Sequence, residues 1–133
     1  MKDWRDRLVE RYPSLYGDRK KDPKRVSMSY PSVGDGWREI IENLSRDISK
    51  IDRHNLVRVE QVKEKFGTLR FYFSVREHDE VDHRDLLNRV FALVAKAEEH
   101  SQSVCEKCGA PGALYGNDHG WLKVLCDDCR KEE

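Results

Sequence analysis

An α+β fold is predicted by three features of this sequence. Apolar residues recur at helical spacing in three segments, and they alternate with polar ones across positions 69–75. Near the end the pattern gives way to two Cys-x-x-Cys pairs. At 133 residues the chain is about one domain's worth, long enough to bury a core that a metal staple would still help.

The elements follow in order. Trp4, Leu8, Tyr12 and Leu15 predict a short amphipathic helix over 3–12, with Pro13 ending it or lying just beyond. Residues 17–35 read as irregular, broken by Gly17, Pro23, Pro31 and Gly34, with Gly36 close behind. The stretch VSMSYPSVGDGW is too apolar for a free linker and is expected against the core. Next, GWREIIENLSRDISKID puts Trp37, Ile40, Ile41, Leu44, Ile48 and Ile51 on one helical face, with Asp35 as the expected cap.

In LVRVEQVKEKFGTLRFYFSV, Leu69, Phe71, Phe73 and Val75 alternate with Arg70, Tyr72 and Ser74, the period of a half-buried strand. Val57 and Val59 begin a partner strand whose phase shifts by one at Val62, so a β-bulge is expected near Gln61. Phe66-Gly67 supplies the turn of this hairpin. A long helix over 81–100 then carries Leu86, Leu87, Val90, Phe91, Val94 and Ala97 on a broad apolar face. Asp79, Glu80 and Asp82 suit its positive end.

Cys105-x-x-Cys108 and Cys126-x-x-Cys129 are separated by seventeen residues, the spacing of a four-cysteine zinc site. Four thiolates complete a tetrahedron around Zn²⁺ and leave no open position, so the expected role is structural. Gly109 permits the tight turn that such a knuckle needs. ALY and WLKVL can be short strands joined by GNDHG, which makes the module a zinc ribbon. The predicted organisation is an α+β core over 1–103, a β-hairpin packed by helices, with a C-terminal ribbon over 104–133 docked on it as one compact unit. His119 is a weaker candidate ligand. NDHG is similar to the start of an HNH nuclease motif, yet that motif needs a further Asn and His, and neither follows His119 here.

Composition narrows the function classes. Twenty-five basic residues balance twenty-five acidic ones, which argues against a general polyanion binder. The start of the chain lacks the apolar core of a secretion signal, and no stretch reaches the roughly 20 apolar residues of a membrane span. With the cysteines paired at metal spacing, a cytoplasmic location is expected. Candidate partner-binding residues are Arg19, Lys20, Lys21, Lys24 and Arg25 in the basic run, with Lys63, Lys65, Arg70 and Tyr72 on the hairpin. A cationic and aromatic strand face suits single-stranded nucleic acid and also suits a protein interface. Neutral net charge tilts the reading toward protein, with nucleic acid as the alternative. His78, Asp79, Glu80, Asp82 and His83 form the richest other cluster, in which Asp79 and His83 would share a helix face and a metal-dependent nuclease or hydrolase would have to work. No phosphate loop, nucleophile elbow or zinc-protease motif is present, so an enzyme is not the first expectation.

GDGWREIIENL, VKEKFGTLRFY, CEKCGAPG and GWLKVLCDDC, in this order and spacing, resemble a family of small proteins encoded by bacteriophages and prophages. The resemblance covers about residues 34–129. It places the metal ligands at Cys105, Cys108, Cys126 and Cys129, and it attaches no role to the other blocks. It implies a bacterial cytoplasm as the setting. It transfers that context rather than an activity, and because small phage proteins often bind host proteins or inhibit defence systems such as CRISPR, host-protein binding is the expectation.

Overall fold

The computed structural model describes residues 3–116 and 120–132. Its elements run α1 (Trp4–Arg11), α2 (Pro13–Tyr16), α3 (Pro23–Ser29), a 3₁₀ turn (Asp35–Trp37), α4 (Arg38–Ile51), β1 (Val57–Lys65), β2 (Thr68–Val75), α5 (His83–Ser101), β3 (Ala113–Gly116), β4 (Leu122–Leu125) and α6 (Asp127–Lys131). Among the described residues there are two separate two-stranded antiparallel sheets, β1-β2 and β3-β4. The fold is α+β, as the sequence predicts. No described helix is long and apolar enough to cross a membrane.

The hairpin β1-β2 organises the core. Phe66 and Gly67 both take positive φ, +55° and +80°, the backbone of a two-residue turn whose twist matches the strands. From there the register runs from Lys65↔Thr68 to Gln61↔Tyr72, slips by one, and resumes at Val59↔Phe73 and Val57↔Val75. The slip is the predicted bulge, with Glu60 as the extra residue. It lets Val57, Val59 and Val62 all be buried, together with Leu69 and Phe71. Helix α5 lies along β2, α4 packs on α5, and α2 and α3 cover β1.

Hydrogen bonds from outside the sheet cover part of both hairpin edges, which blunts the open edges that a two-stranded sheet would otherwise present. Along β2, the Leu69 N–H donates to Ser101 Oγ at 3.0 Å and the Phe71 N–H to Glu98 Oε2 at 2.9 Å. Along β1, the Val62 carbonyl accepts from the Ser32 N–H at 2.9 Å, and the Val59 carbonyl from Arg25 Nη1 at 3.0 Å.

Several expectations change in the fold. Residues 17–35 are not irregular throughout, because Pro23–Ser29 is helical. Asp22 accepts from the Arg25 N–H at 3.2 Å, and Pro23 takes the first helical position, where it lacks nothing the helix needs. Pro13 does the same at the start of α2. Asp35 does not cap α4, since a 3₁₀ turn intervenes. Its Oδ1 instead accepts from Trp4 Nε1 and pairs with Arg5, each at 3.0 Å, and these partners hold its carboxyl below the usual range. Helix α5 begins at His83, two residues later than predicted, with Asp82 as its cap. Phe91 is 63 % exposed: the buried stripe of α5 is Leu86, Val90 and Val94, and Phe91 meets the hairpin only at its margin, edge-on to Phe73 with centroids 6.2 Å apart.

Asp52 closes the corner between α4 and β1. It is buried, and its two carboxylate oxygens accept from the Leu56 and Val57 N–H groups at 2.8 and 2.9 Å. Removing the carboxylate strands two buried donors, so Asp52→Ala is expected to cost about 2–4 kcal/mol in denaturant unfolding, with Asp52→Asn recovering part of that loss. An Ala variant as stable as the wild type would show that water or a backbone shift satisfies both groups.

Candidate metal centre

The C-terminal module is built around two turns that present sulfur. In the first, the Gly109 N–H donates to the Cys105 carbonyl at 2.9 Å, the Cys105 N–H donates to the Ala110 carbonyl at 2.8 Å, and Gly109 adopts φ +86°. In the second, Cys126 precedes α6, and its sulfur accepts from the Cys129 N–H at 3.4 Å. The strands β3 and β4 pair from Ala113↔Leu125 to Gly116↔Leu122 and bring the turns face to face. Asn117, Asp118 and His119 lie outside the described residues, so the candidate His119 ligand and the NDHG stretch have no structural account here.

All four sulfurs lie within 4.8 Å of one another, with Cys108 and Cys126 at 3.6 Å. That separation is far beyond a disulfide bond, and the cysteines are free thiols. A tetrahedral ion with metal–sulfur bonds of ~2.3 Å has sulfur–sulfur edges of about 3.8 Å. The cluster therefore has the dimensions to hold one metal ion, and zinc is compatible with its donor set. Cys105 and Cys129 are buried, Cys126 is half-buried and Cys108 is exposed.

The electrostatics carry the same message. Burial acts to raise the Cys105 thiol, but backbone donors at Cys126, Cys108 and Lys107 outweigh it and bring the group down to about 6. Cys129 is pushed up, first by Cys126 and then by burial. Cys108 is lowered by the Ala110 backbone yet ends raised, because Cys126 and Cys105 crowd it. Four adjacent sulfurs cannot all carry charge unless a cation sits among them.

The module is seated on the helical core through the GDGW stretch. The Gly36 N–H donates to the Glu106 carbonyl at 2.7 Å, and the Gly34 N–H donates to Glu106 Oε2 at 3.0 Å. Burial raises the Glu106 carboxyl, against the Gly34 N–H that lowers it. Trp37, fully buried, donates its Nε1–H to the Val104 carbonyl at 2.9 Å. A Cβ on Gly36 would lie 1.9 Å from the Cys105 carbonyl oxygen and 2.5 Å from the Gly109 nitrogen. At the other side, a Cβ on Gly67 would lie 2.4 Å from Leu114 Cδ1, so the β1-β2 turn touches the β3-β4 hairpin.

The other sequence candidates scatter. Lys20, Lys21 and Lys24 are exposed on the surface. Arg19 pairs with Asp6 at 2.9 Å and lies over the Tyr30 ring. Arg25 turns inward and donates to the Leu15 carbonyl at 2.9 Å as well as to Val59, with burial and Arg58 lowering its pKa. Lys63 sits 5.8 Å above the ring of Tyr72, which is exposed, and Lys65 sits 5.5 Å above that of Phe66. Arg70 is half-buried and its Nε has no hydrogen-bond partner among the described residues. Asp79 and His83 do not meet on a helix face, because Asp79 precedes α5 and His83 Nε2 lies 2.9 Å from the Val75 carbonyl oxygen. The structure instead brings His78 and Glu80 to His54, a residue the sequence reading left out. The chain matches no protein-family profile, curated protein or solved structure with which it was compared, so the resemblance above stands on its sequence blocks alone.

Cys126→Ser is expected to abolish stoichiometric metal in elemental analysis and to cost roughly 3 kcal/mol, lowering Tm by about 10 °C in a chain of this size. A variant retaining full metal content would exclude Cys126 as a ligand. Gly36→Ala is expected to keep the metal while lowering Tm by at least several degrees, since the new methyl meets backbone on two sides. Unchanged melting of Gly36→Ala would mean that the seat yields freely.

Proposed function

We propose that this protein is a zinc-stabilised, non-enzymatic binding module that docks on a partner protein where its two hairpins meet. The carrying observation is the exposure of large apolar side chains at the β1-β2 turn and on and beside the β3-β4 hairpin that it touches. Phe66 is 64 % exposed, Leu114 52 %, Trp121 68 % and Leu122 37 %. Gly67 brings the β1-β2 turn against strands β3 and β4, lying next to Leu114 and the Leu122–Lys123 backbone. Exposed aromatic and aliphatic groups of this kind favour burial against another protein, and aromatic residues dominate binding energy when they are buried there. Lys65 over Phe66, and Lys63 over Tyr72 further along the same hairpin, add the amphipathic chemistry of an interface rim.

Zinc is the ion this reading assigns, because four thiolates at tetrahedral spacing select it, and a full sulfur set leaves no site for a reacting water. The ion's work is then to hold β3 and β4 against the core so that the patch keeps its shape. The resemblance to phage proteins makes a bacterial host protein the class of partner. Inhibition of an antiviral system such as CRISPR is the finer form of that reading and rests on the resemblance alone. Nucleic acid is the weaker reading, since Arg19 and Arg25 of the basic run are already engaged within the fold.

The test is affinity capture from bacterial lysate with and without nuclease, using wild type and a Phe66→Ser/Trp121→Ser variant. A stoichiometric protein that survives nuclease and binds the variant about 30-fold more weakly is the expected result. Partner retention by the variant would move the interface elsewhere, and loss of all partners after nuclease would favour nucleic acid.

A further inference from the structure

The open end of the β1-β2 hairpin carries a second cluster of metal-binding side chains. It lies roughly 27 Å along the nine-residue strand from the turn that touches the cysteine module. The His54 and His78 rings sit with centroids 4.5 Å apart, tilted by 35°. Glu80 joins them, and one ligand atom from each of the three falls within 4.8 Å of the others. All three side chains are exposed, so an ion reaches them without opening the fold.

Hairpin register creates this meeting. His54 lies three positions before Val57, and His78 lies three positions after its partner Val75. Had the pairing nearest the turn continued without the slip at Glu60, position 54 would stand across from Asp79. The bulge that buries the valines thus also sets imidazole against imidazole.

The supporting backbone is held from both sides. Asp52 fixes the Leu56 and Val57 N–H groups, Asn55 turns the chain at φ +55°, and Arg76 binds back through its N–H to the Leu56 carbonyl and through Nη2 to the Asn55 carbonyl, at 2.9 and 2.8 Å. His78 Nδ1 accepts from the Glu80 N–H at 3.1 Å. That bond uses the Nδ1 lone pair, so an ion would be met by Nε2, which gives up its proton on binding. The same short turn keeps the Glu80 carboxylate beside the ring.

Two imidazoles and one carboxylate suit Zn²⁺, Ni²⁺ or Cu²⁺, whereas Mg²⁺ and Ca²⁺ prefer oxygen alone. Three protein ligands leave positions for water, unlike the closed sulfur cage. We propose that His54, His78 and Glu80 form a second, exchangeable transition-metal site that clasps the α4–β1 corner to the loop following β2.

The experiment uses tag-free full-length protein already loaded at its cysteine site. Ni²⁺ is titrated by calorimetry, Tm is followed in parallel, and retained zinc is measured so that an ion entering the cage is not counted. One further equivalent is expected, with Tm rising by roughly 5–10 °C at free Ni²⁺ about 100-fold above Kd. His54→Ala and His78→Ala should each remove both effects, and Glu80→Gln should weaken them, while His100→Ala leaves them intact. Because these side chains are exposed, Tm without added Ni²⁺ should stay at the wild-type value in each variant. Absence of a further equivalent, or its persistence in the His54→Ala/His78→Ala double variant, would overturn the site and leave a stacked histidine pair.

Discussion

The structure depends most on a close approach of backbone to backbone, where Gly36 meets the first sulfur turn. A side chain there would collide with the Cys105 carbonyl and the Gly109 nitrogen, so the contact exists only because the residue is glycine. Through it the Gly36 N–H reaches the Glu106 carbonyl, and Trp37, one residue on, closes over the Val104 carbonyl from within the core. A module with so little apolar interior of its own gains from such a seat. Beside its cysteines, the buried cluster of the module holds Leu125, with Tyr115 packed against it. Docking therefore takes on part of the task that a hydrophobic core performs in a larger domain, and an ion held by the four sulfurs would share it.

The hairpin is the second constraint. A two-stranded sheet alone is marginal in water, and this one persists because its faces and edges are both used. Valines and Leu69 fill one side, while Ser101, Glu98, Ser32 and Arg25 satisfy the outward backbone groups. Arg25 illustrates how charge becomes structural. In the sequence it belongs to a solvated basic run, but its guanidinium has enough donors to tie the carbonyls of Leu15 and Val59 together. The cation is thereby withdrawn from any partner surface.

The two ends of the hairpin serve different chemistry. At the turn, Gly67 admits the β3-β4 hairpin, and Phe66, Leu114 and Leu122 are exposed. At the open end, the strands deliver His54 and His78 to one another. The strand pair between them links both arrangements to the core through the helices packed on it.

Local periodicity by itself determined the α+β class, the faces of α1 and α4, the Phe66-Gly67 turn, the bulge and the tetracysteine cluster, because each is written in short-range spacing. The helix at Pro23–Ser29 is also legible, in an Asp-Pro pair that marks a cap and first helical residue, although proline on its own equally signals a break. Other features required the fold. Asp35 could not be read as a partner of Trp4 and Arg5, nor GDGW as a seat for the sulfur turn, because those contacts join segments far apart in the chain. The meeting of His54 with His78 depends on a one-residue slip in strand pairing, and a slip of one exchanges every neighbour across a sheet. Spacing along the chain states which residues can share a face, and only the packed structure decides which distant faces share a boundary.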